Sequence, residues 1–157
     1  MARKTVTVDI KTDDPENRDN GKRFIITELP ASQGEKWGAR ALNALLASGI
    51  EIPDKLAKQG LRGVAAAGID SLTGFTGIPW NLAEPLLDEM MKCVQIDPDP
   101  LNRPGVNIRP IIEADIEEIG TRLKLRNAWL ELHIGFSFAA KTQTSDLAAE
   151  ESGPSSI

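Results

Sequence analysis

The chain contains no tyrosine, one cysteine and one histidine, and aromatic residues make up only 4% of it. Each scarcity excludes something. A single Cys93 cannot form an intramolecular disulfide or supply a multi-cysteine zinc site, and a free thiol points to a reducing compartment. With only His133, any Ser/His/Asp or Cys/His site would have to be built on that residue. So few aromatics do not make an aromatic recognition surface. No apolar run approaches the roughly 20 residues that span a bilayer, and MARKTVTVDIK lacks the apolar stretch of a signal peptide. Basic residues are outnumbered, giving a net charge of −5. The clustered Lys and Arg that grip nucleic acid by displacing counterions are therefore missing. These readings predict a protein partner, with no nucleic acid and no membrane.

What is present is the making of one small α+β domain: 157 residues of ordinary apolar and charged content. Val6, Val8 and Ile10 alternate along Thr5 to Ile10, and Arg23 to Leu29 carries Phe24-Ile25-Ile26. Together they predict an N-terminal β-hairpin with a long, exposed tip over residues 11–21, free to be mobile. Pro30 ends the pairing. Ser32 and Glu35 have capping-box spacing and predict a helix to about Ser48, stopped by Gly49 at C′. A second helix is expected from Pro53 to Ala67, weakened by Gly60 and Gly63, with short turns over Gly68 to Trp80. Asn81 and Glu84 again resemble a cap, opening a helix to about Val94. Pro98, Pro100 and Pro104 exclude regular structure from Ile96 to Gly105. Val106 to Arg109 alternates as a third strand. The mainly helical domain closes with a helix over Ala114 to Leu132, acidic at its start and basic later, with Ile116, Ile119, Leu123 and Leu130 as a stripe that Leu125, Trp129 and Leu132 widen. One domain is expected over residues 1–138. The small, polar residues 139–157 cannot offset their ordering entropy and read as a disordered tail.

Catalytic and ligand-binding chemistry finds no support. His133 reads as a helix-terminal histidine favoured by the macrodipole. Glu113, Asp115, Glu117 and Glu118 could pose as an acid/base pair but suit a helical first turn better. Asp97 and Asp99 lack the ligand series of a calcium loop. The scattered glycines are followed by no Gly-Lys-Ser/Thr. Met90 and Met91 read as core filling, and Cys93 as a small buried hydrophobe. No catalytic residue, cofactor or metal is predicted. The residual class is binding, and Trp37 and Arg40, neighbours on one helix face, are the candidate contact pair because Trp and Arg are enriched at hot spots. The competing reading places Trp37 in the core.

Two longer stretches carry a family resemblance. GKRFIITELPASQGEKWGARALNALL, Gly21 to Leu46, resembles the N-terminal part of tail assembly chaperones from long-tailed bacteriophages, in which a short strand leads through a Thr-Glu-Met/Leu-Pro-Ala step into a Glu-Lys-Trp helix. ADIEEIGTRLKLRNAWLELHIGFS, Ala114 to Ser137, is similar to the family's acidic-started helix with its Leu-Arg core and Leu-His-x-Gly-Phe ending. LLDEMMKCV, Leu86 to Val94, falls between them in the same order. The resemblance implies a non-enzymatic protein of the host cell cytoplasm, absent from the mature virion. Such a chaperone binds the tape-measure protein, keeps it soluble and helps recruit tail-tube subunits, with self-association compatible with that role. The other expectations are a virion structural or head–tail connector protein, or a small host-directed adaptor.

Overall fold

The computed structural model describes residues 2–49 and 78–135. The predicted helix over Pro53 to Ala67, most of the turns before Trp80 and the predicted tail lie outside the described residues. Within them the fold is α+β. An antiparallel sheet of order β1-β2-β3-β4 is formed by β1 (Thr5–Asp9), β2 (Arg23–Thr27), β3 (Val94–Asp97) and β4 (Arg109–Pro110). Three helices, α1 (Ala31–Ala47), α2 (Trp80–Met91) and α3 (Ile119–Leu130), complete it.

Strand periodicity sets the layers. Val8 lies opposite Phe24, and Phe24 opposite Ile96, while Ile26 lies opposite Val94. All are buried, as is Ile10 just beyond β1. A single apolar sheet face results, because alternate residues of a strand point the same way. The helices supply the facing layer with Trp37, Ala41 and Leu45 from α1, Leu86, Leu87 and Met90 from α2, and Leu125, Trp129 and Leu130 from α3. Met90 and Met91 are core, as their sequence context predicts. Cys93 is only partly buried at the margin of the core.

Several boundaries differ from the sequence expectation. Neither Ser32/Glu35 nor Asn81/Glu84 forms a cap: α1 and α2 each begin after a proline, Pro30 and Pro79, with no side-chain capping bond. Extended prolines already aim the chain into the first turn, and Gly34, Leu82 and Ala83 donate to their carbonyls. The stop at the far end of α1 is as expected, since Gly49 adopts φ +72°. Helix α2 ends at Met91, three residues early, and Val94 enters an inner strand. The prolines therefore begin just after regular structure: Ile96 and Asp97 belong to β3. The predicted strand over Val106 to Arg109 shrinks to Arg109–Pro110, because Val106 is two-thirds exposed and Ile108 also faces solvent.

The largest correction concerns Ala114 to Leu132. A 3-10 turn spans Glu113–Asp115, Ile116 to Glu118 are not helical, and α3 starts at Ile119. Ile119 is 75% exposed, so the apolar face belongs to Leu125, Trp129, Leu130 and Leu132. The break has an electrostatic cause. Asp115 turns back to pair with Arg109 at 2.7 and 2.8 Å and accepts the Ile112 N–H. The segment leading into α3 is then held from another part of the chain. Asp19, fully buried in the hairpin tip, accepts the N–H groups of Glu117 at 3.0 Å and Glu118 at 2.9 Å. Lys22 donates to the same carboxylate at 2.8 Å. The tip is thus fastened, contrary to the expected loose loop, and Arg18 pairs with Glu118 while Lys22 also reaches Glu117.

Candidate functional site

Helix α1 places Trp37 and Arg40 very differently. Trp37 is 4% exposed, and its indole N–H donates to the Leu86 carbonyl of α2 at 3.0 Å. Its ring centroid lies 4.6 Å from that of Trp129, tilted by 55°, and Trp129 stacks on His133 at 3.8 Å. Trp37 is therefore a core residue, and the expectation that it faces a partner is corrected. A large ring at helical spacing from Ala41, Ala44 and Leu45 joins their buried face. Arg40, one turn on, is about half exposed and ion-pairs with Glu89 across the α1–α2 seam.

His133 closes the aromatic column in a defined protonation state. It lies in the π-helical turn Glu131–Gly135 that finishes α3. Its Nε2 lies 2.9 Å from the Leu29 N–H and its Nδ1 2.8 Å from the Trp129 carbonyl. Nε2 must accept from the amide, so Nδ1 carries the proton and donates to the carbonyl. The ring is neutral, at the helix end where the sequence placed it. Burial lowers its pKa, outweighing the Trp129 carbonyl and the negative charge of Glu28, which favour the proton. Cys93 donates weakly to the Glu89 carbonyl at 3.6 Å, and burial raises its thiol pKa. Neither group is arranged as a nucleophile–base pair.

The acidic run also resolves into structural partnerships. Asp115 serves Arg109, Glu117 serves Lys22 and Glu118 serves Arg18. Asp97 is buried and accepts the Gly105 N–H at 2.8 Å, closing the proline-rich loop. Among the described residues no three His, Cys, Asp or Glu side chains are grouped to hold a metal ion.

One surface feature among the described residues is a groove between α1 and α2. Its walls are Ala44, Ala47, Leu82, Pro85 and Leu86, with Arg40, Asn43 and Asn81 at the polar rim. Its volume is about 470 Å³, within the roughly 300–1,000 Å³ of small-molecule pockets, but it lacks their convergent polar groups. Apolar side chains on the same two helices stay in solvent: Leu46 is 55% exposed, Trp80 56% and Leu82 40%. Arg40 thus lines this groove, while Trp37, its expected neighbour, is buried. Sequence reasoning missed Leu82 and Pro85, and it counted Leu46 in the apolar face of the first helix, where the structure leaves it 55% exposed. The available signal was apolar residues lying off the buried faces of these two helices. No protein-family model, curated protein or solved structure matches the chain.

Proposed function

We propose that this protein is a tail assembly chaperone of a long-tailed bacteriophage, and that it binds the tape-measure protein through the α1–α2 groove. The observation that carries this reading is the apolar lining of that groove, which includes the exposed Leu82, with Arg40 at the rim and the exposed Leu46 on the same helix as Arg40. Apolar surface left in solvent marks a site that a partner covers. A groove between two helices suits an amphipathic helix, whose anchors at i, i+3 and i+4 fall on one line. The tape-measure protein is a long helical chain with such faces exposed before assembly. A cover carrying net negative charge would keep the complex dispersed. The resemblance of Gly21 to Leu46 and Ala114 to Ser137 supplies the identity of the partner. On this reading the protein is not an enzyme, it helps recruit tail-tube subunits, and it acts in the host cell cytoplasm without entering the mature virion.

Co-expression with the tape-measure protein tests the proposal. The wild-type chain should raise the soluble fraction of the tape-measure protein and co-purify with it. Leu82→Asp, at an exposed groove position, should fold normally by circular dichroism and weaken capture at least about tenfold, because it buries a charge against apolar anchors. Failure of the wild type to co-purify or to change solubility would defeat the chaperone reading. Stoichiometric amounts in purified particles would favour a virion structural protein. Normal capture by a folded Leu82→Asp protein would move the contact away from the groove.

A further inference from the structure

The two edges of the sheet are built unlike one another. Strand β4 is two residues long, contains Pro110 and follows a loop with Pro98, Pro100 and Pro104. Shortness and proline are the usual protections of an edge. Strand β1 has neither. It is five residues of Thr-Val-Thr-Val-Asp, a composition that favours pairing. Lys4 accepts the Glu28 N–H and Ile10 donates to Lys22, so Val6 and Val8 direct their backbone groups toward β2. Alternation then turns the N–H and C=O groups of Thr5, Thr7 and Asp9 outward. Among the described residues, the one hydrogen bond to that outer edge is from Lys124 Nζ to the Asp9 carbonyl, at 3.4 Å.

Charge selects the occupant. On the sheet face away from the helices, opposite signs alternate across three strands: the buried Asp97 lies opposite Arg23, and Arg23 opposite Asp9, with Arg23 Nε 2.7 Å from Asp9 Oδ1. The row ends at the edge on an anion, so the next strand should place a cation there. Arg3, an exposed residue whose guanidinium lies 3.4 Å from the Glu28 carbonyl of its own chain, is shared between that contact and the partner's Asp9 when β1 of a second copy pairs antiparallel with Val6 opposite Val6. This register also sets Thr5 against Thr7, both ways round the two-fold axis. A slip of one outward-facing residue toward the C-terminal end, with Thr7 opposite Thr7, would instead set Arg3 against Lys11. Like charges directly opposite are unfavourable.

We propose that the β1 edge is a self-association site, at which two copies of the chain pair antiparallel in the register Val6 to Val6, joining two four-stranded sheets into one. The contact is short, so the dimer is concentration-dependent. It lies on a different element from the α1–α2 groove and does not depend on the chaperone reading.

Sedimentation velocity over a concentration series reads the association of the full chain. Wild type should move from 17.0 kDa toward twice that mass. Thr7→Pro removes an outward N–H without touching the β1–β2 ladder and should weaken dimerisation at least about tenfold. Arg3→Asp, on an exposed side chain, should do the same and guards against a folding defect at position 7. The register is read by oxidation in a Cys93→Ala background. In a non-hydrogen-bonded antiparallel pair the Cα atoms lie about 4.5 Å apart, within disulfide reach. Val6→Cys should therefore form a covalent dimer, and Thr7→Cys should not. A wild-type protein that stays monomeric throughout overturns the proposal. So does a dimer indifferent to both Thr7→Pro and Arg3→Asp, or one cross-linked through Thr7→Cys but not Val6→Cys.

Discussion

Asp19 shows how much one side chain can determine. Burial alone would raise its carboxyl pKa. Lys22, the Thr121 hydroxyl and the N–H groups of Glu117 and Glu118 outweigh burial and hold it at about 2, below its ordinary 3.8. A carboxylate whose pKa is lower in the folded state stabilises the fold above its unfolded value. That contribution disappears as pH falls through the folded value. Asp19 should thus contribute about 2 kcal/mol at neutral pH, lost between roughly pH 4 and pH 2. Asp19→Asn should destabilise the protein by about that amount or more near neutrality, since the amide also cannot accept with both atoms. Urea denaturation of both proteins across that range would check it, the gap narrowing in acid. A gap that persists unchanged at pH 2 would mean that charge is not the cause. Nothing near Asp19 in sequence announces this role. Asp13, Asp14 and Asp19 look equivalent in a polar loop, and the groups that single out Asp19 arrive about a hundred positions later.

At the scale of elements, the sequence located what depends on local rules and misplaced what depends on remote partners. The hairpin strands follow from alternation, and α1 from its apolar period and Gly49. Strand β3 stayed hidden because Val94 and Ile96 continue the apolar content of α2, and its identity comes from pairing with β2. The acidic start of the last predicted helix was legible as charge, but its use was not. Arg109 and Asp19 draw it out of the helix. The candidate site divides the same way. Arg40 was visible as an exposed basic residue, whereas the burial of Trp37 required Leu86 and Trp129 from other helices. Those contacts make Trp129 the joint of the helical layer, touching Trp37 of α1 on one side and His133 of its own helix end on the other. Trp129→Ala should cost about 3–5 kcal/mol, as for other buried aromatics replaced by alanine. Chemical denaturation would measure it, and a loss below about 1 kcal/mol would contradict the packing described.

For the whole molecule, the connection between the hairpin tip and the residues before α3 combines two kinds of interaction. Asp19 is out of solvent, while Arg18 and Glu117 are 59% and 42% exposed at their side chains. Exposed pairs contribute about 0–1 kcal/mol each and are screened by salt. Urea denaturation at low and high sodium chloride should therefore differ by no more than about 1–2 kcal/mol. A larger loss would mean that the surface pairs, not the buried carboxylate, hold the tip. Because Asp19 of the hairpin holds the Glu117 and Glu118 amides just before α3, the approach to that helix is specified by residues about a hundred positions earlier. On a ribosome the hairpin emerges before α3, and the Asp19 carboxylate has neither of these amide N–H groups to accept from until Glu117 and Glu118 follow. Closing so long a loop precedes its reward. Until that segment is made, Asp19 has Lys22 alone among the described residues as its partner, and every shortened product ending before Glu117 leaves the tip without its amide donors.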